Sequence, residues 1–519
     1  MRSFFPRHII LTGLLVMAAL WSLSVSCGLT TGLRGAPTSA AKMPTAAVTA
    51  IVTATAGAEL AITLPVEPSA TAPQPTQTSA PPLFPTPDHL TSQAPWLVVS
   101  TSNGIWAANP DGSWLTQLSK APIASPYSLA PAIAPGGTKL AYVTSSSENQ
   151  YVDLALHLLD LTSGKDTTIT ALTSPTTAVN PQSGPGDKNY EVAFAMVDLD
   201  SLAWSPDGSM LAFVGAQEGS SADIYSYIPA TGKINHLTSG PSQAFAPSWS
   251  PDSKYIVQFG ASSFGTGAGY SMSGAWAVRA SDGSVITLYT PNSGGEELIG
   301  WLDPTTFLVY SWTMSCAGES LRSINFASLA QKSIYTGCFS SAAMDPDSKT
   351  VLLAGEDPSA CSCSPGTGAF LLPPGTLPTG SGTPKQVLND DVADVQWLKE
   401  GQVFLARVIG GEWVGIKPDG TQAFDVPAAN DMPAVAPGGQ VAWTAYDPKQ
   451  ENGVWVQMPG NDPKKIFDQP AHNPVWSSEK ADVLLFFAGS DLYAAHAPDF
   501  MPVKMGQVTG DVKDVAIAK

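Results

Sequence analysis

The sequence predicts an all-β protein: a single propeller of eight to nine four-stranded blades, closed by pairing of the N- and C-terminal strands. Three observations lead there. A phrase, Trp204-Ser-Pro-Asp-Gly-Ser-Met-Leu-Ala-Phe213, returns as Trp249-Ser-Pro-Asp-Ser-Lys-Tyr-Ile-Val257. Weaker copies lie around Ile133, Trp301, Met344, Trp397, Val435 and Trp476. Self-similarity at a period of roughly forty residues is the signature of a repeat architecture. The composition agrees: 13% charged and 44% hydrophobic residues, with 46 Gly, 45 Pro and 14 Trp in 519 residues, suit short strands and tight turns. Finally, the repeats begin with a unit that lacks a first strand and end with a strand that lacks a unit.

The elements follow in chain order. Arg2 and Arg7 precede an apolar run, Ile9 to Leu20, too short to span a bilayer comfortably. Residues 1–27 therefore read as an export signal ending at Cys27. Residues 28–94 are rich in Thr, Pro, Ala and Ser, as in Pro73-Gln-Pro-Thr-Gln-Thr-Ser-Ala-Pro-Pro82. Such a stretch buries too little apolar area to offset its ordering entropy, so it reads as a disordered tether. As a random coil it would reach about 45 Å. The propeller is expected over residues 95–519.

A partial unit comes first: Trp96 to Thr101, Gly104 to Ala108 and Trp114 to Leu118. Each complete unit then has one grammar. A first strand ends in an aromatic or apolar anchor, as in Leu202-Ala-Trp204. A Pro-Asp-Gly turn follows, because Pro presets φ and Gly or Asp tolerates the left-handed region. The second strand is a continuous apolar run: Met210–Val214, Tyr255–Val257, Val351–Leu353, Gln402–Ala406, Val483–Phe487. The third is exemplified by Asp223–Tyr227, Gly453–Val456 and Asp491–Ala494, and a polar fourth by Lys233–Thr238. Unbroken apolar runs imply strands covered on both faces, the environment of a propeller blade. The anchors Ile133, Trp204, Trp249, Trp301, Met344, Trp397, Val435 and Trp476 make eight units. The partial unit, completed by Asp514 to Ala518, makes a ninth; with one weak unit misread, the count is eight. No helix is expected beyond the N-terminus, for no stretch sustains helical periodicity.

The Ser205-Pro-Asp-Gly208 and Ser250-Pro-Asp-Ser253 phrases resemble the WD40-like repeat of the TolB family, over most of residues 95–519. The resemblance implies a propeller used as a binding platform. The extra repeats and missing N-terminal domain separate this chain from the TolB role itself. Leu23-Ser-Val-Ser-Cys27 is similar to the lipobox of bacterial lipoproteins, although Ser24 stands where that family prefers Leu. This likeness implies acylation of Cys27 and anchoring on the outer side of the cytoplasmic membrane or on the cell surface.

Antiparallel strands put second-to-third-strand loops and blade connections on one face. The expected insertions all fall there: 172–194, carrying Tyr190; the internal loop 260–276, carrying Phe264 and Tyr270; and the internal loop 356–366. The starts of the first strands reach the central opening on the same side. They bring Asp198, Asp200, Glu297, Asp391, Asp394, Asp431 and His472, a set that suits Ca²⁺ or a cationic ligand; otherwise no cofactor is expected. Cys316, Cys338, Cys361 and Cys363 map to that face too. In an exported chain they suggest two disulfides, with three pairings open and a Zn site as the alternative. His157, His236 and His496 read as core or sheet-surface residues.

The net charge is −18, which repels phosphate backbones and argues against nucleic acid. Neither a Gly-x-Ser-x-Gly elbow, a His-Glu-x-x-His helix nor a P-loop occurs. The expectation is a monomeric, non-enzymatic platform for a protein or glycan on the loop-rich face, touching the membrane only through its anchor. The alternative is a polysaccharide-active or metal-dependent enzyme with a site in the central channel.

Overall fold

A computed structural model describes residues 90–519 except 92–93, 126–127, 147–150, 175–187, 198–199, 265–269, 290–294, 313–319, 338, 357–364, 378–382, 428, 430 and 446–451. Cys27, Asp198 and the four later cysteines fall outside the described residues.

Seven four-stranded antiparallel sheets and one seven-stranded sheet follow one another along the chain. The seven-stranded sheet is two blades sharing one strand, Lys385–Leu398: its first part pairs with Pro365–Leu372 and its second with Val403–Val408. The described residues therefore form nine blades, numbered here in chain order. Blade 1 takes three strands from the N-terminal end of the ring and its fourth from the C-terminus. Trp96–Thr101 pairs with Val512–Ala518, from Trp96 opposite Ala518 to Thr101 opposite Val512. This closes the ring and removes two free edges. The ring is also sealed by Asp514, whose Oδ2 accepts from Leu129 N of blade 2 at 2.7 Å.

The second strands are buried along most of their length, as in Leu211–Gly215 and Trp96–Thr101, and the third strands mix buried and partly buried positions, as in Ala155–Asp160. The fourth strands, such as Lys165–Ala171 and Met501–Gln507, are largely exposed and form the rim. The repeated phrase explains how neighbouring blades lock. Four tryptophan anchors, Trp397 not among them, donate the indole N–H to the residue just before the previous blade's anchor. Trp204 reaches Ala132 O at 2.8 Å, Trp249 reaches Ala203 O at 2.9 Å, Trp301 reaches Ser248 Oγ at 3.0 Å, and Trp476 reaches Ala434 O at 3.2 Å. Where the anchor is Met344, its side chain lies against Gly300 instead, leaving no room there for a Cβ.

The turn after the anchor is held by its own side chains. Ser205 Oγ donates to Asp207 Oδ1 at 2.6 Å and accepts from Met210 N at 3.0 Å. Ser250 repeats this with Asp252 and Tyr255. Gly208 takes the left-handed φ of +71° that the turn requires, and Ser253 takes +60° at the same place in blade 4.

Four expectations need correction. The insertion after Ala171 contains a helix, Lys188–Val197. Its Val192, Ala195, Met196 and Val197 are buried with Phe245 and Phe259. The run is a single short turn-and-a-half of apolar face, too brief to show as sustained periodicity. The stretch 260–276 is mostly not a loop but two paired strands. In blade 6, Pro365 and Gly366 are already strand, Pro365 standing opposite Glu356. Trp114 is not in a strand: it has φ +56° and is 48% exposed, and only Thr116–Gln117 continues the sheet.

Candidate ligand-binding face

The most distinctive structure on the loop-rich face is an arm on blade 4. Its strands, Tyr255–Phe264 and Tyr270–Arg279, stay paired as far as Phe264 opposite Tyr270, with register shifts at Gly260/Ala261 and Ala261/Ser263. The inner neighbour stops at Gln243 opposite Ala261, and the outer one at Tyr289 opposite Ala275. The ends of the arm thus pair only with each other. From Ala261 to Phe264 and from Tyr270 to Gly274 the arm carries Ser, Gly, Met and two aromatics and no charge. Rigid aromatics among small polar residues are the composition of recognition loops.

The base of the arm is built around Trp276. Gly260 and Gly274 face each other across the strands. A Cβ on either would meet the Trp276 ring, at 2.5 Å from Gly260 and 2.7 Å from Gly274. The indole therefore lies flat on a bare patch of backbone, and it stays partly exposed. Gln258, directly across from Trp276, is buried, and its Oε1 has no hydrogen-bond partner among the described residues; neither has the buried Ser273 Oγ. Sequence reasoning singled out Phe264 and Tyr270 but missed Gln258, Ser273 and Trp276. The Gly260/Gly274 spacing around Trp276 was the available signal.

The first-strand carboxylates are not assembled into one ring of ligands. Asp431 Oδ2 accepts from Thr444 Oγ1 at 3.1 Å and from Asn473 N at 3.0 Å, which ties blade 8 to blade 9. Asp394 Oδ1 accepts from Ser341 Oγ at 2.7 Å, which ties blade 7 to blade 6. His472 Nε2 is 2.9 Å from Gly489 O, and its ring stacks on Phe487 at 6.0 Å. Asp200 and Asp391 are exposed, Asp200 with φ +40°. Glu297 lies opposite Tyr310 in the first strand of blade 5. Tyr190 is in the first turn of the insertion helix, on a separate element from the arm. Among the described residues no three His, Cys, Asp or Glu side chains are grouped to hold a metal.

Buried polar networks sit elsewhere in the blades. In blade 3, His236 Nε2 is 3.6 Å from Asp223 Oδ2, and Nδ1 is 3.1 Å from Glu218 Oε2. The imidazole stacks on Tyr225 at 4.5 Å. Burial lifts the Asp223 carboxyl to about 6, against the pull of His236, and pushes the Tyr225 hydroxyl up to about 12. Between blades 4 and 5, Tyr289 of blade 4 and Arg322 of blade 5 both donate to buried Glu296, as does Ser311 Oγ at 3.0 Å. Burial raises Glu296 despite Arg322, whose guanidinium also lies 4.4 Å from the Tyr289 ring centre.

Between blades 1 and 2, Tyr142 Oη is 2.7 Å from both Ser119 Oγ and Asp166 Oδ2, and His157 Nδ1 is 3.2 Å from Asp166 Oδ1. Thr168 Oγ1 lies 3.4 Å from His157 Nε2. Hydroxyl, imidazole and carboxylate stand in hydrolytic order, but Tyr142 and Ser119 engage the carboxylate's other oxygen. These groups work as a staple between blades. Burial raises Asp166, and the bonds from His157, Tyr142 and Ser119 outweigh it and hold the carboxyl below the usual range.

No family model matches the sequence. A 54-residue stretch is 41% identical to a Bacillus subtilis protein described as an uncharacterized peptidase, YuxL. That stretch is 10% of this chain and 8% of the relative. Among solved structures, a eukaryotic initiation factor matches 82% of this chain and 98% of its own, with a TM-score of 0.50 and 12% identity. At that identity the likeness shows the fold alone. A protein described as TolB from Agrobacterium tumefaciens covers 48% of this chain and 79% of its own at 16% identity, with a TM-score of 0.27, too low to argue from.

Proposed function

We propose that the protein is an exported lipoprotein whose propeller captures a protein or glycan on its loop-rich face, without transforming it. Lipidated Cys27 anchors it on the outer side of the cytoplasmic membrane or on the cell surface, with the segment 28–94 as its tether. The observation that carries this reading is the arm of blade 4. It projects beyond its own sheet, is uncharged on a strongly acidic protein, and has at its base a pinned, partly exposed indole beside two buried polar atoms that have no hydrogen-bond partner among the described residues. Buried polar atoms ordinarily find partners, and an aromatic platform with polar neighbours is a common ligand-binding chemistry. Asp200 and Asp391 add acidic character to the same face, where Ca²⁺ would be an accessory ligand.

The test is a pull-down from envelope extract together with a glycan array. Both use the intact chain and a variant in which residues 262–272 are replaced by a two-residue hairpin turn. The reading expects a ligand that the intact chain retains and the shortened chain loses, with the thermal midpoint of the variant close to that of the parent. Equal retention by both chains refutes it.

A second reading, an enzyme of the hydrolase type, draws only on the short match to a protein described as a peptidase. It would be favoured by turnover of a peptide or oligosaccharide substrate by the purified chain.

A further inference from the structure

We infer that blade 7 holds a binding cleft for a lysine or arginine side chain of a partner polypeptide. The inference rests on the reading of the loop-rich face as the binding face, and it narrows the partner there to one with cationic segments.

The cleft, of about 430 Å³, is lined by Ile409, Gly410, Glu412, Asp425 and Pro427. It forms where the hairpin between Val403–Val408 and Trp413–Ile416 turns over beside the end of the outer strand Gln422–Val426. Gly410 and Gly411 make the turn with φ of +114° and +97°, angles that exclude ordinary side chains at the rim. Val408 N donates to Glu412 O at 2.8 Å, closing the hairpin.

The lining has two characters. Ile409, 51% exposed, gives the lining its apolar part together with Gly410 and Pro427. Glu412 and Asp425 supply carboxylates beside it. The shared strand runs alongside, Ile409 N donating to the backbone oxygen of Asp391 at 2.8 Å, and Asp390 and Asp391 are both exposed. Arg407, two residues before Ile409, is the one cation of this hairpin among the described residues. Lys399 and Lys417 belong to the turns at the opposite end.

An apolar lining with carboxylates beside it matches one class of side chain. Lysine and arginine bury an aliphatic stem on apolar surface while the cationic head stays at a polar edge. A neutral apolar residue would desolvate the carboxylates without repayment. An anionic group meets repulsion from those carboxylates and from a chain of net charge −18. Asp391, expected at the channel mouth as a cation ligand, thus borders this cleft, and Ile409 and Glu412 had no signature in the sequence.

The experiment uses the full-length chain in nanodiscs and three fluorescein-labelled dodecapeptides, alternating glycine with lysine, glutamate or serine. Binding is followed by anisotropy between low and high NaCl. The lysine peptide should bind and weaken steeply with salt, and the other two should not bind. Glu412→Gln with Asp425→Asn should weaken the lysine peptide about fivefold or more at low salt. Ile409→Ser should weaken it about two- to threefold with an unchanged salt slope. Asp282→Asn with Asp303→Asn, exposed carboxylates on the turn face, should leave it unchanged. Equal losses in the two double variants would show diffuse charge attraction and overturn the cleft, as would no binding of the lysine peptide. The arm-shortened chain separates this inference from the reading beneath it. It keeps the lysine peptide if the cleft is the site, whatever happens to the envelope ligand, and loses it if the peptide sits on the arm.

Discussion

Replacing Trp249 with phenylalanine should detach blade 4 from blade 3 in energetic terms while leaving the sequence of strands intact. Trp249 is 1% exposed, and its indole donates to Ala203 O across the blade boundary at 2.9 Å. Phenylalanine has no N–H, so the hydrogen bond is lost at a cost of about 1 kcal/mol. Its smaller ring leaves a void at a closed site, costing about 1–2 kcal/mol more. The expected loss is therefore about 2–3 kcal/mol. Trp114→Phe is the internal control, because Trp114 is 48% exposed and such changes usually stay within about 0.5 kcal/mol. Urea unfolding followed by near-UV circular dichroism reads both. Trp301 donates to Ser248 Oγ, next to Trp249 in the chain. Trp249→Phe and Trp301→Phe together should therefore deviate from additivity by at least about 0.5 kcal/mol. An unfolding midpoint for Trp249→Phe equal to that of Trp114→Phe would refute the argument that the repeated tryptophan is an inter-blade latch.

Gly274→Ala should cost about 1–3 kcal/mol, because its Cβ would lie 2.7 Å from the Trp276 ring; a shifted indole emission maximum would accompany the lower urea midpoint. Asp223 is lifted to about 6 from an ordinary 3.8, so folding favours its uncharged form. That contribution is present below about pH 4 and is lost as pH rises through about 6. Asp223→Asn should accordingly gain on the parent in thermal midpoint as melts move from acidic to neutral pH, and a constant difference would count against the shift. Ending the chain before Val512 removes the inner strand of blade 1 and uncovers buried Leu97 and Val99; cooperative thermal unfolding should be lost, and an unchanged melt would contradict closure. Cys27→Ala should abolish metabolic palmitate labelling of the protein, and labelling that persists would remove the anchor.

The fold was legible because the repeat is a mechanical part. Tryptophan at the end of a first strand, serine and aspartate in the next turn, and an apolar run after it each perform a visible structural task at Trp204, Ser205, Asp207 and Leu211. The closing strand was legible from two incomplete units with complementary gaps. Features that depend on one blade alone were harder to read. The helix Lys188–Val197 is short, and its apolar side is defined by Phe245 and Phe259 of another blade rather than by its own period. The arm looked like a Gly/Ser loop because Gly260 and Gly274 are glycines for a packing reason, the Trp276 ring, that no strand propensity expresses. Asp394 lies inside the shared strand Lys385–Leu398, Asp431 precedes the strand Ala434–Val435, and His472 opens His472–Trp476. Asp394 and Asp431 engage Ser341 and Asn473 of neighbouring blades, to which the local sequence is blind, while His472 reaches Gly489 within its own blade. The cleft at Ile409 likewise arises from a hairpin and an outer strand of one blade meeting at its end.

Site-specific photo-crosslinking in the producing cell tests the central claim most directly. A diazirine residue is placed in turn at Ser271 on the arm, at Ile409 on the cleft and at Asp303 on the turn face. The account predicts discrete adducts from Ser271 and Ile409 and none from Asp303. Adducts from Asp303 alone, or equal adducts from all three, would contradict the assignment of the loop-rich face as the surface that binds.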